Sequence, residues 1–395
     1  MKSLDEAINS VISCLNLDLK SEFVNFNVAL GRVLAMSFKA LRNSPVFDNS
    51  ALDGYAYNAE FKGEYLEIIE PTIFAGCKEI YEIKENEAQK IMTGAPFPKG
   101  ANSVIRLEDA EFENGKLKMP KDPKFGDGHR KMGEEFAKDK ILIKKGEILT
   151  PPKIMLLASQ GVSKIEVFTK PKIALFSSGD ELLNLGEKAD KFGIYDANSY
   201  GVSALLLSNG FECENLGIIK DDYSVVLDTL KKICENYDII ITSGGASVGE
   251  ADFMEKVAQK LGFENILNGV NLKPGGKPMK CFKNGEKLFF ILPGNPMAAY
   301  ILSLVFMLPI LRYLSGNSHF KNIEFNAVLE GNLKFSPKRV NLILGDFNEG
   351  KFIPKFDKFS SFMISPLANS SFVFLTPLDK ECLNNGDLIK ILKVY

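Results

Sequence analysis

The sequence predicts a multi-domain protein of the α/β plus β class, and three observations lead to this prediction. With 395 residues the chain is too long for one ordinary hydrophobic core. Between residues 171 and 315, short apolar segments alternate with amphipathic ones, as in a doubly wound parallel sheet with helices on both faces. In 41–139 and 316–395 the apolar runs are short and turn residues are frequent, which is typical of β structure.

The domains follow from these changes of pattern. Residues 1–40 and 140–170 are predicted to form an N-terminal helix, over residues 3–16, and a linker domain. Residues 41–139 are predicted to form an inserted β-rich, barrel-like domain, 171–315 the α/β domain, and 316–395 a small C-terminal β domain. In the α/β domain the predicted elements are, in order, Ile173–Phe176, Ala197–Ser208, Glu212–Ile218, Ser224–Glu235, Tyr237–Ile241, Asp252–Leu261, Leu288–Leu292 and Pro296–Leu314.

Composition argues against several classes of protein. A formal net charge of -2 gives no support to a nucleic-acid-binding protein that relies on a strong positive field. The N-terminus lacks the apolar core of a signal peptide, which predicts a cytoplasmic location. The apolar stretch Met297–Leu311 is shorter than the ~20 residues of a membrane span and contains Pro309, so it predicts a buried helix and no membrane association.

The residues suited to metal binding are oxygen donors. The six cysteines are scattered without a Cys-x-x-Cys pair, and we expect them to be reduced and structural. With His129 and His319 as the two histidines of the sequence, a histidine zinc site or histidine-driven catalysis is not expected. Carboxylates would have to hold any metal.

The strongest chemical signal is the segment Thr242-Ser243-Gly244-Gly245-Ala246-Ser247-Val248-Gly249-Glu250-Ala251-Asp252. It lies between a predicted buried strand and a predicted helix, where small residues allow backbone N–H groups to approach an anion and the helix dipole favours it. Glu250 and Asp252 would repel a phosphate at this turn unless a hard cation such as Mg²⁺ lay between them. The segment therefore predicts metal-assisted chemistry on a phosphorylated ligand.

Other predicted loops should meet this segment, because the carboxyl ends of parallel strands share one edge of the sheet. They are Ser177-Ser178-Gly179-Asp180-Glu181, Lys220-Asp221-Asp222 and Leu292-Pro293-Gly294-Asn295-Pro296. Asp180, Asp221 and Asp252 would then gather near the anion, as Mg²⁺ ligands or their neighbours. An aspartate before a helix is also a common N-cap, and this alternative stays open, especially for Asp180 and Asp222.

Two proline-rich turns each allow two interpretations. In Lys273-Pro274-Gly275-Gly276-Lys277-Pro278 the prolines restrict the loop, which could form a fixed lysine clamp for an anion or an ordinary hairpin with solvated lysines. In Pro293-Gly294-Asn295-Pro296 the turn could simply join a strand to a helix, or it could direct a helix N-terminus at an oxyanion.

The first half of the chain contributes three polar turns, at residues 45–56, 92–98 and 131–135. Taken singly, each is typical of a surface loop. Taken together, they could contribute to a shared cleft. His129 and Arg130 are predicted to be solvated rather than catalytic.

As a set, these segments resemble the molybdopterin molybdenumtransferase family, which includes bacterial MoeA and the E domain of gephyrin. The resemblance covers nearly the whole chain. The motifs that carry it are Phe47-Asp48-Asn49-Ser50-Ala51-Leu52-Asp53-Gly54-Tyr55-Ala56, Ile91-Met92-Thr93-Gly94-Ala95, Gly133-Glu134, Ser178-Gly179-Asp180-Glu181-Leu182, Ile194-Tyr195-Asp196-Ala197-Asn198, Leu216-Gly217-Ile218-Ile219-Lys220-Asp221-Asp222, the segment from Ser243 to Asp252, the lysine loop and Leu292-Pro293-Gly294-Asn295-Pro296.

The resemblance implies an elongated homodimer of four-domain subunits. Its implied activity is the insertion of molybdenum from molybdate into adenylylated molybdopterin, with release of AMP and dependence on Mg²⁺. It also implies a cleft between the α/β domain of one subunit and parts of its partner, and transient contact with the adenylylating protein and with molybdoenzymes.

The same resemblance implies the roles of individual residues. Those implied to be catalytic are Asp53, Thr93 and Glu134 on the partner side, with Asp221 and Asp252, which would also bind Mg²⁺. Those implied to bind substrate are Ser243, Gly244, Gly245, Ser247, Lys273, Lys277, Pro293, Gly294, Asn295, Arg339 and Ser361, the last two at a molybdate site shared with the lysine loop.

The chain departs from the family pattern in three places. The lysine loop has one glycine more than the commonest Lys-Pro-Gly-Lys-Pro form, Ala298 stands where many relatives have serine, and the segment around Arg339 matches only loosely. Two other functions stay open, a non-catalytic scaffold that binds a pterin nucleotide and a paralogue that uses tungstate. Since no histidine or reactive cysteine is placed for nucleophilic work, electrostatic stabilisation and proximity would have to carry the reaction.

Overall fold

The structure, a computed structural model, describes residues 1–16, 18–245, 253–356 and 359–395. The chain divides into two compact units. The first unit comprises residues 1–35, 146–150 and 164–395, and the second comprises 36–145 and 151–163. This division differs from the domains predicted above, because the helix that begins at Pro151 belongs to the second unit rather than to a linker.

The helices and strands are numbered in chain order. The α-helices are α1 (Leu4–Ser13), α2 (Pro151–Ser159), α3 (Asn198–Ser208), α4 (Tyr223–Asn236), α5 (Phe253–Lys260), α6 (Pro296–Leu302), α7 (Leu308–Leu314) and α8 (Ser365–Ala368). The strands are β1 (Ser21–Asn25), β2 (Phe38–Lys39), β3 (Asn49–Ser50), β4 (Gly54–Tyr57), β5 (Tyr65–Ile73), β6 (Glu87–Ile91), β7 (Ser103–Arg106), β8 (Phe112–Glu113), β9 (Lys116–Lys118), β10 (His129–Arg130), β11 (Ile141–Ile143), β12 (Lys164–Phe168), β13 (Ile173–Ser178), β14 (Leu182–Leu183), β15 (Ile194–Tyr195), β16 (Cys213–Ile219), β17 (Ile239–Ser243), β18 (Glu264–Asn268), β19 (Leu272–Lys273), β20 (Lys280–Asn284), β21 (Lys287–Leu292), β22 (Glu324–Leu329), β23 (Leu333–Lys334), β24 (Val340–Asn348), β25 (Lys351–Pro354), β26 (Phe372–Leu375), β27 (Cys382–Leu383) and β28 (Leu388–Lys393).

The second unit is built on a six-stranded sheet in the order β7-β4-β6-β5-β9-β8. Its strands pair antiparallel except for β5 with β6. Asn114 and Gly115 both have positive φ between β8 and β9, which is the backbone that a two-residue hairpin turn requires. The predicted β-rich character of this part is confirmed.

The first unit contains the predicted doubly wound sheet, in the order β16-β13-β17-β21-β20-β18. The strands β16, β13, β17 and β21 run parallel, and β20 and β18 are antiparallel. All residues of β17 are buried, because hydrophobic cores cover both faces of the sheet. One core contains residues of α1, α3, α6 and α7, and the other contains residues of α4 and α5.

The long apolar helix of the sequence lies in the first of these cores. Within the described residues, Pro296–Leu314 is long and apolar enough to cross a membrane, and 78% of its most apolar window is buried inside the fold. It consists of α6, a π-helical turn at Ser303–Met307 and α7, in which Pro309 is near the first position. A buried core helix was the prediction from its length.

The C-terminal part of the first unit forms a small closed barrel from β24, β25, β22, β28 and β26, with β26 pairing back to β24. Phenylalanines Phe352, Phe372 and Phe374 lie in its core. The short strand β19 adds to this sheet by pairing parallel with β24. The predicted C-terminal β domain is therefore present, and the lysine loop of the α/β region begins on its edge.

Candidate active site

The parallel strands of the first unit end in register. Ser177 of β13 lies opposite Ser243 of β17, and Ser243 lies opposite Leu292 of β21. On the other side of β13, Ser178 lies opposite Ile219 at the end of β16. The loops that follow these strands therefore leave the sheet at one edge, as the sequence predicted.

A cleft of about 700 Å³ lies at this edge. Each of the converging loops supplies part of its lining, through Gly179, Asp221, Gly244 and Gly294. Exposed apolar side chains complete the rim, namely Ile194, Tyr195, Phe362 and Ile364. The cleft thus combines a polar floor at the strand ends with an apolar rim, which suits a ligand that has both an anionic and a ring portion.

Gly244 makes the turn at the end of β17 possible. Its φ is +99°, and a Cβ built on it would overlap the carbonyl oxygen of Ser178. Its amide donates to the carbonyl of Leu292 at 3.2 Å and is therefore not a free donor for a ligand. The contribution of Gly244 is that a ligand can come close to its backbone. Ser247 and Asp252, predicted further along this turn, lie outside the described residues.

Asn198 links the Ser243 turn to the Pro293-Gly294 turn. Its side-chain amide nitrogen donates to Ser243 Oγ and to the Gly294 carbonyl, each at 2.7 Å. Ser243 Oγ in turn donates to the Pro293 carbonyl at 3.2 Å, and Ser243 is 2% exposed. Ser243, Pro293 and Gly294 therefore act first as parts of one hydrogen-bonded frame around the cleft.

Asp196 holds the start of α3 against the sheet. It is buried and accepts hydrogen bonds from Ser177 Oγ at 2.9 Å and from the backbone N and the hydroxyl of Ser199. Three hydrogen bonds to one carboxylate fix its orientation. The result is a fixed position for Asn198, which begins the helix.

The neighbouring aspartates of the β16–α4 loop have different partners. Asp222 is the N-cap of α4, accepting from the backbone N of Ser224 and Val225 at 2.9 and 3.0 Å. Hydrogen bonds from the Ser224 hydroxyl and from these amides lower its pKa. The N-cap interpretation is therefore correct for Asp222.

Asp221 faces the cleft instead of capping a helix. Its Oδ1 accepts a hydrogen bond from Ser178 Oγ, and its backbone N donates to Asp180 Oδ1 at 3.3 Å. Asp180 therefore holds the loop that carries Asp221. The structure brings Asp180 and Asp221 together as predicted from the sheet topology.

The surroundings of Asp221 suit a hard cation. Within the described ranges no group of three His, Cys, Asp or Glu side chains could hold a metal ion. Mg²⁺ commonly takes only one or two protein carboxylates and completes its shell with water and phosphate oxygens. Asp221, at the wall of an open cleft beside the Ser178 hydroxyl, fits such an ion, while its predicted pairing with Asp252 stays a prediction.

The lysine loop leaves β19 and is not a hairpin, since β19 pairs with β24 whereas the next strand, β20, pairs with β18 and β21. Lys273 and Lys277 are exposed, and neither is among the described residues that line the cleft, although Pro278 is. Gly275 has a φ of +83°, and a Cβ on it would overlap the Cβ of buried Ala298. Two of the departures from the family pattern, the lengthened loop and Ala298, therefore lie in contact.

The remaining predicted residues of the first unit are Asn295 and Ser361, near the start of α6, and Arg339. Asn295 is exposed and its side chain makes no capping hydrogen bond, although it is the N-cap. The Ser361 carbonyl accepts from the backbone N of Met297 at 3.0 Å, which brings the Ser361 segment to this helix start. Arg339 is half-buried, its Nε has no partner, and it is not among the described lining residues.

In the second unit, Asp53 and Thr93 form a hydrogen-bonded pair. Asp53 Oδ1 accepts from the backbone N of Thr93 at 2.6 Å and from its hydroxyl at 2.8 Å. These two hydrogen bonds lower the pKa of Asp53. Thr93 therefore holds the carboxylate of Asp53 in place and favours its ionised form. The two residues were predicted from separate motifs.

The third predicted residue of this unit, Glu134, is exposed and closes its own turn, because its Oε2 accepts from the backbone N of Lys131 at 2.9 Å. The prediction that His129 is solvated is wrong. Its side chain is 11% exposed, its Nε2 lies 3.0 Å from Asp48 Oδ2, and its ring stacks on Phe97 with centroids 4.0 Å apart. Arg130 is exposed, as predicted.

Comparison with known proteins finds relatives that match nearly the whole chain. Residues 2–161 match the MoeA N-terminal region (domain I and II), and residues 174–313 match the probable molybdopterin binding domain. The molybdopterin molybdenumtransferase of Haemophilus influenzae is 33% identical over 353 residues, which cover 89% of this chain and 86% of the relative. That of Bacillus subtilis is 31% identical over 410 residues, which cover 99% of this chain and 94% of the relative. The chain belongs to the molybdopterin molybdenumtransferase family.

Solved structures of the family share the fold. The crystal structure of the molybdopterin biosynthesis MoeA protein from Pyrococcus horikoshii OT3 is 26% identical, with a TM-score of 0.85 and complete coverage of both chains. The predicted family, fold class and enzyme class, a transferase, are confirmed.

Family motifs that had no predicted role prove to organise the cleft. Asp196, Asn198 and Glu181 all line the cleft, and the sequence motifs that contain them suggested no role for any of the three. The available signal was position: Glu181 follows β13 at the edge of the sheet that carries the Ser-Gly-Gly turn, and Asp196 and Asn198 lie at the start of the next helix.

Proposed function

We propose that this protein acts in molybdenum cofactor biosynthesis as a molybdopterin molybdenumtransferase, inserting molybdenum from molybdate into adenylylated molybdopterin with release of AMP. The observation that carries the proposal is the Gly244 turn beside Asp221 at one cleft. A turn without side chains lets a phosphate group approach the backbone, and a carboxylate beside it suits a bridging cation. The names of the relatives supply the substrate class.

Magnesium is the cofactor of the proposal. Asp221, with Asp252 as its predicted companion, would hold the ion, and the ion would neutralise the charge of the pyrophosphate linkage. The side chains of the chain itself then position the ligand. Ser178 orients Asp221 by its hydrogen bond, while Asn198 keeps the Ser243 and Gly294 turns at a fixed separation.

The lysines provide the attraction for molybdate in this proposal. Lys273 and Lys277 are both exposed on a loop fixed by the contact of Gly275 with Ala298, so a bound oxyanion would gain charge-assisted hydrogen bonds at little cost in loop ordering. Arg339 and Ser361 complete the proposed molybdate site. The binding of adenylylated molybdopterin would use the apolar rim for its ring system.

The decisive assay measures AMP release from adenylylated molybdopterin, with and without Mg²⁺ and molybdate. The matched variants are Asp221→Asn and Asp222→Asn. Each replaces one carboxylate oxygen by an amide nitrogen, at adjacent positions in the chain. Asparagine is as good an N-cap as aspartate, so Asp222→Asn would still cap α4, whereas Asp221→Asn would lose the charge that faces the cleft. We expect Asp221→Asn to lower the rate at least about a hundredfold and Asp222→Asn to leave it nearly unchanged.

The competing functions are outcomes of the same assay. A scaffold would bind the pterin nucleotide and release no AMP above background in the wild-type protein. A tungstate-using paralogue would release AMP in preference with tungstate when both oxyanions compete. Equal rates for Asp221→Asn and wild type would remove Asp221 from the proposal.

A homodimer is part of the proposal, with Asp53, Thr93 and Glu134 serving the cleft of the partner subunit. Asp53→Ala and Asp221→Ala should each be inactive alone. If they act in trans, co-expressed subunits form mixed dimers with one intact site each, which restores about a quarter of wild-type activity after random pairing. A mixed sample as inactive as its parents would contradict action in trans.

The proposal includes a cellular location and two kinds of partner protein. We place the protein in the cytoplasm, in transient contact with the protein that adenylylates molybdopterin and with molybdoenzymes that receive the cofactor. Cross-linking in cell extract, with Asp222→Asn as the folded control, would test these contacts.

A further inference from the structure

A second, smaller pocket of about 50 Å³ lies in the first unit and shares no lining residue with the cleft. Its walls come from the segment around Arg32, from Ile148, from the end of β12 and the residues after it, from the turn after α3 and from the end of α7. The pocket therefore depends on five parts of the chain that the proposed reaction does not use.

Three cationic side chains meet in this pocket, those of Arg32, Lys170 and Arg312. Among the described residues that line it, none is acidic. Arg32 pairs with Glu22 at 2.6 Å and donates to the Phe168 carbonyl at 2.8 Å. Its Nε, however, is buried without a partner, in a side chain that is 13% exposed.

Among the described residues, no carboxylate is bonded to the other two cations. Arg312 donates to the neutral amide oxygens of Asn322 and Asn209, each at 2.7 Å. In the part of the chain that the structure describes, no residue accepts a hydrogen bond from the ammonium of Lys170. Burial and the charge of Arg32 lower the pKa of Lys170, while Glu212 opposes this shift.

Placing like charges together in a half-buried pocket is unfavourable unless an anion joins them. The size of the pocket indicates the kind of anion. A volume of about 50 Å³ has room for about four water-sized groups, which matches the oxygens of a tetrahedral oxyanion and is too small for a nucleotide. Guanidinium and ammonium groups are the usual donors to such oxygens.

We propose that Arg32, Lys170 and Arg312 form a second oxyanion site, separate from the cleft, for a tetrahedral anion of the size of phosphate, sulfate or molybdate. The site does not depend on the proposed transferase reaction. Its test therefore measures binding, not AMP release.

The sequence offers a clean local probe, because it contains no tryptophan. Ile148 lines the pocket and is 37% exposed, so Ile148→Trp places a single fluorescent reporter there. We expect the Ile148→Trp protein to show a saturable change on titration with inorganic phosphate at constant ionic strength.

The matched variants in this background are Lys170→Met and Lys172→Met. Lys172 is exposed and is not among the described lining residues. Lys170→Met removes one charge-assisted hydrogen bond and should weaken phosphate binding about tenfold or more, whereas Lys172→Met should leave it unchanged. Because its charge is unfavourably placed, loss of the Lys170 ammonium should not lower the melting temperature of the phosphate-free protein.

Titrations with sulfate and molybdate identify which anion binds most tightly. Saturation by any of the three, with loss in Lys170→Met, supports the site. Identical binding curves for Lys170→Met and its parent would overturn the proposed oxyanion site, and so would a response that chloride reproduces at equal ionic strength. The three cations would then have a structural role, with their charge balanced by Glu22 and Glu212.

Discussion

Replacement of Asn198 offers the sharpest test of how the cleft is built. One side-chain nitrogen donates to both Ser243 Oγ and the Gly294 carbonyl at 2.7 Å. Asn198→Ala removes both hydrogen bonds and leaves these acceptors to find other partners. Each hydrogen bond contributes about 0.5–1.5 kcal/mol net, so the free energy of unfolding should fall by about 1–3 kcal/mol.

Asn198→Asp is a second test of these hydrogen bonds, because it keeps the size of the side chain and replaces the donating nitrogen by an oxygen. A carboxylate oxygen would then face the Gly294 carbonyl oxygen where the amide nitrogen now donates, and two acceptors would repel each other. We expect this variant to be less stable than Asn198→Ala. Both should also raise the KM for the proposed pterin-nucleotide substrate, since the turns that carry Ser243 and Gly294 are no longer held together.

The assay is urea denaturation followed by circular dichroism, with Asn295→Ala as control. Asn295 lies in the neighbouring turn and its side chain makes no capping hydrogen bond, so its removal should change the midpoint little. An unchanged midpoint for Asn198→Ala, or an equal loss for Asn295→Ala, would refute the assignment of a framework role to Asn198.

Three further predictions use other parts of the protein. Gly244→Ala should cost at least about 1–3 kcal/mol in backbone strain, add a clash with the Ser178 carbonyl and abolish nucleotide binding, measured by calorimetry. Asp222→Ala should lose about 1 kcal/mol of stability and Asp222→Asn far less, measured by denaturation. Thr93→Val should raise the pKa of Asp53 towards its ordinary 3.8, measured by NMR titration. A lowered pKa adds stability above the unfolded value that is lost as pH falls through the folded value, so the variant should be less stable near neutral pH and equal to wild type in strong acid.

Much of the fold and part of the site are readable from local pattern. Strand β17 begins with three isoleucines and ends, after Thr242 and Ser243, at a glycine turn, and such a run is recognisable because burial on both faces favours apolar, β-branched residues. The convergence of Asp221 with the Gly244 turn also followed from the sequence, since parallel strands must end at the same edge.

Contacts between distant segments could not be read in this way. For the lysine loop a clamp and a hairpin were both open, and the hairpin is excluded because β19 pairs with β24 of the barrel. His129 was expected in solvent, yet it stacks on Phe97 and bonds Asp48. In both cases the deciding neighbour lies far away in the chain, where periodicity carries no information.

By itself, the order of residues determined the parallel strands and the helices of the α/β domain, and which of their loops share an edge, because these depend on the spacing of apolar side chains and on the short reach of the backbone. Tertiary packing alone decided that Ser178 donates to Asp221, that Asn198 bonds two turns at once, and that Arg32, Lys170 and Arg312 meet in one pocket. The reason is physical: a side chain acquires its partners, its exposure and its charge environment only when separate elements come together.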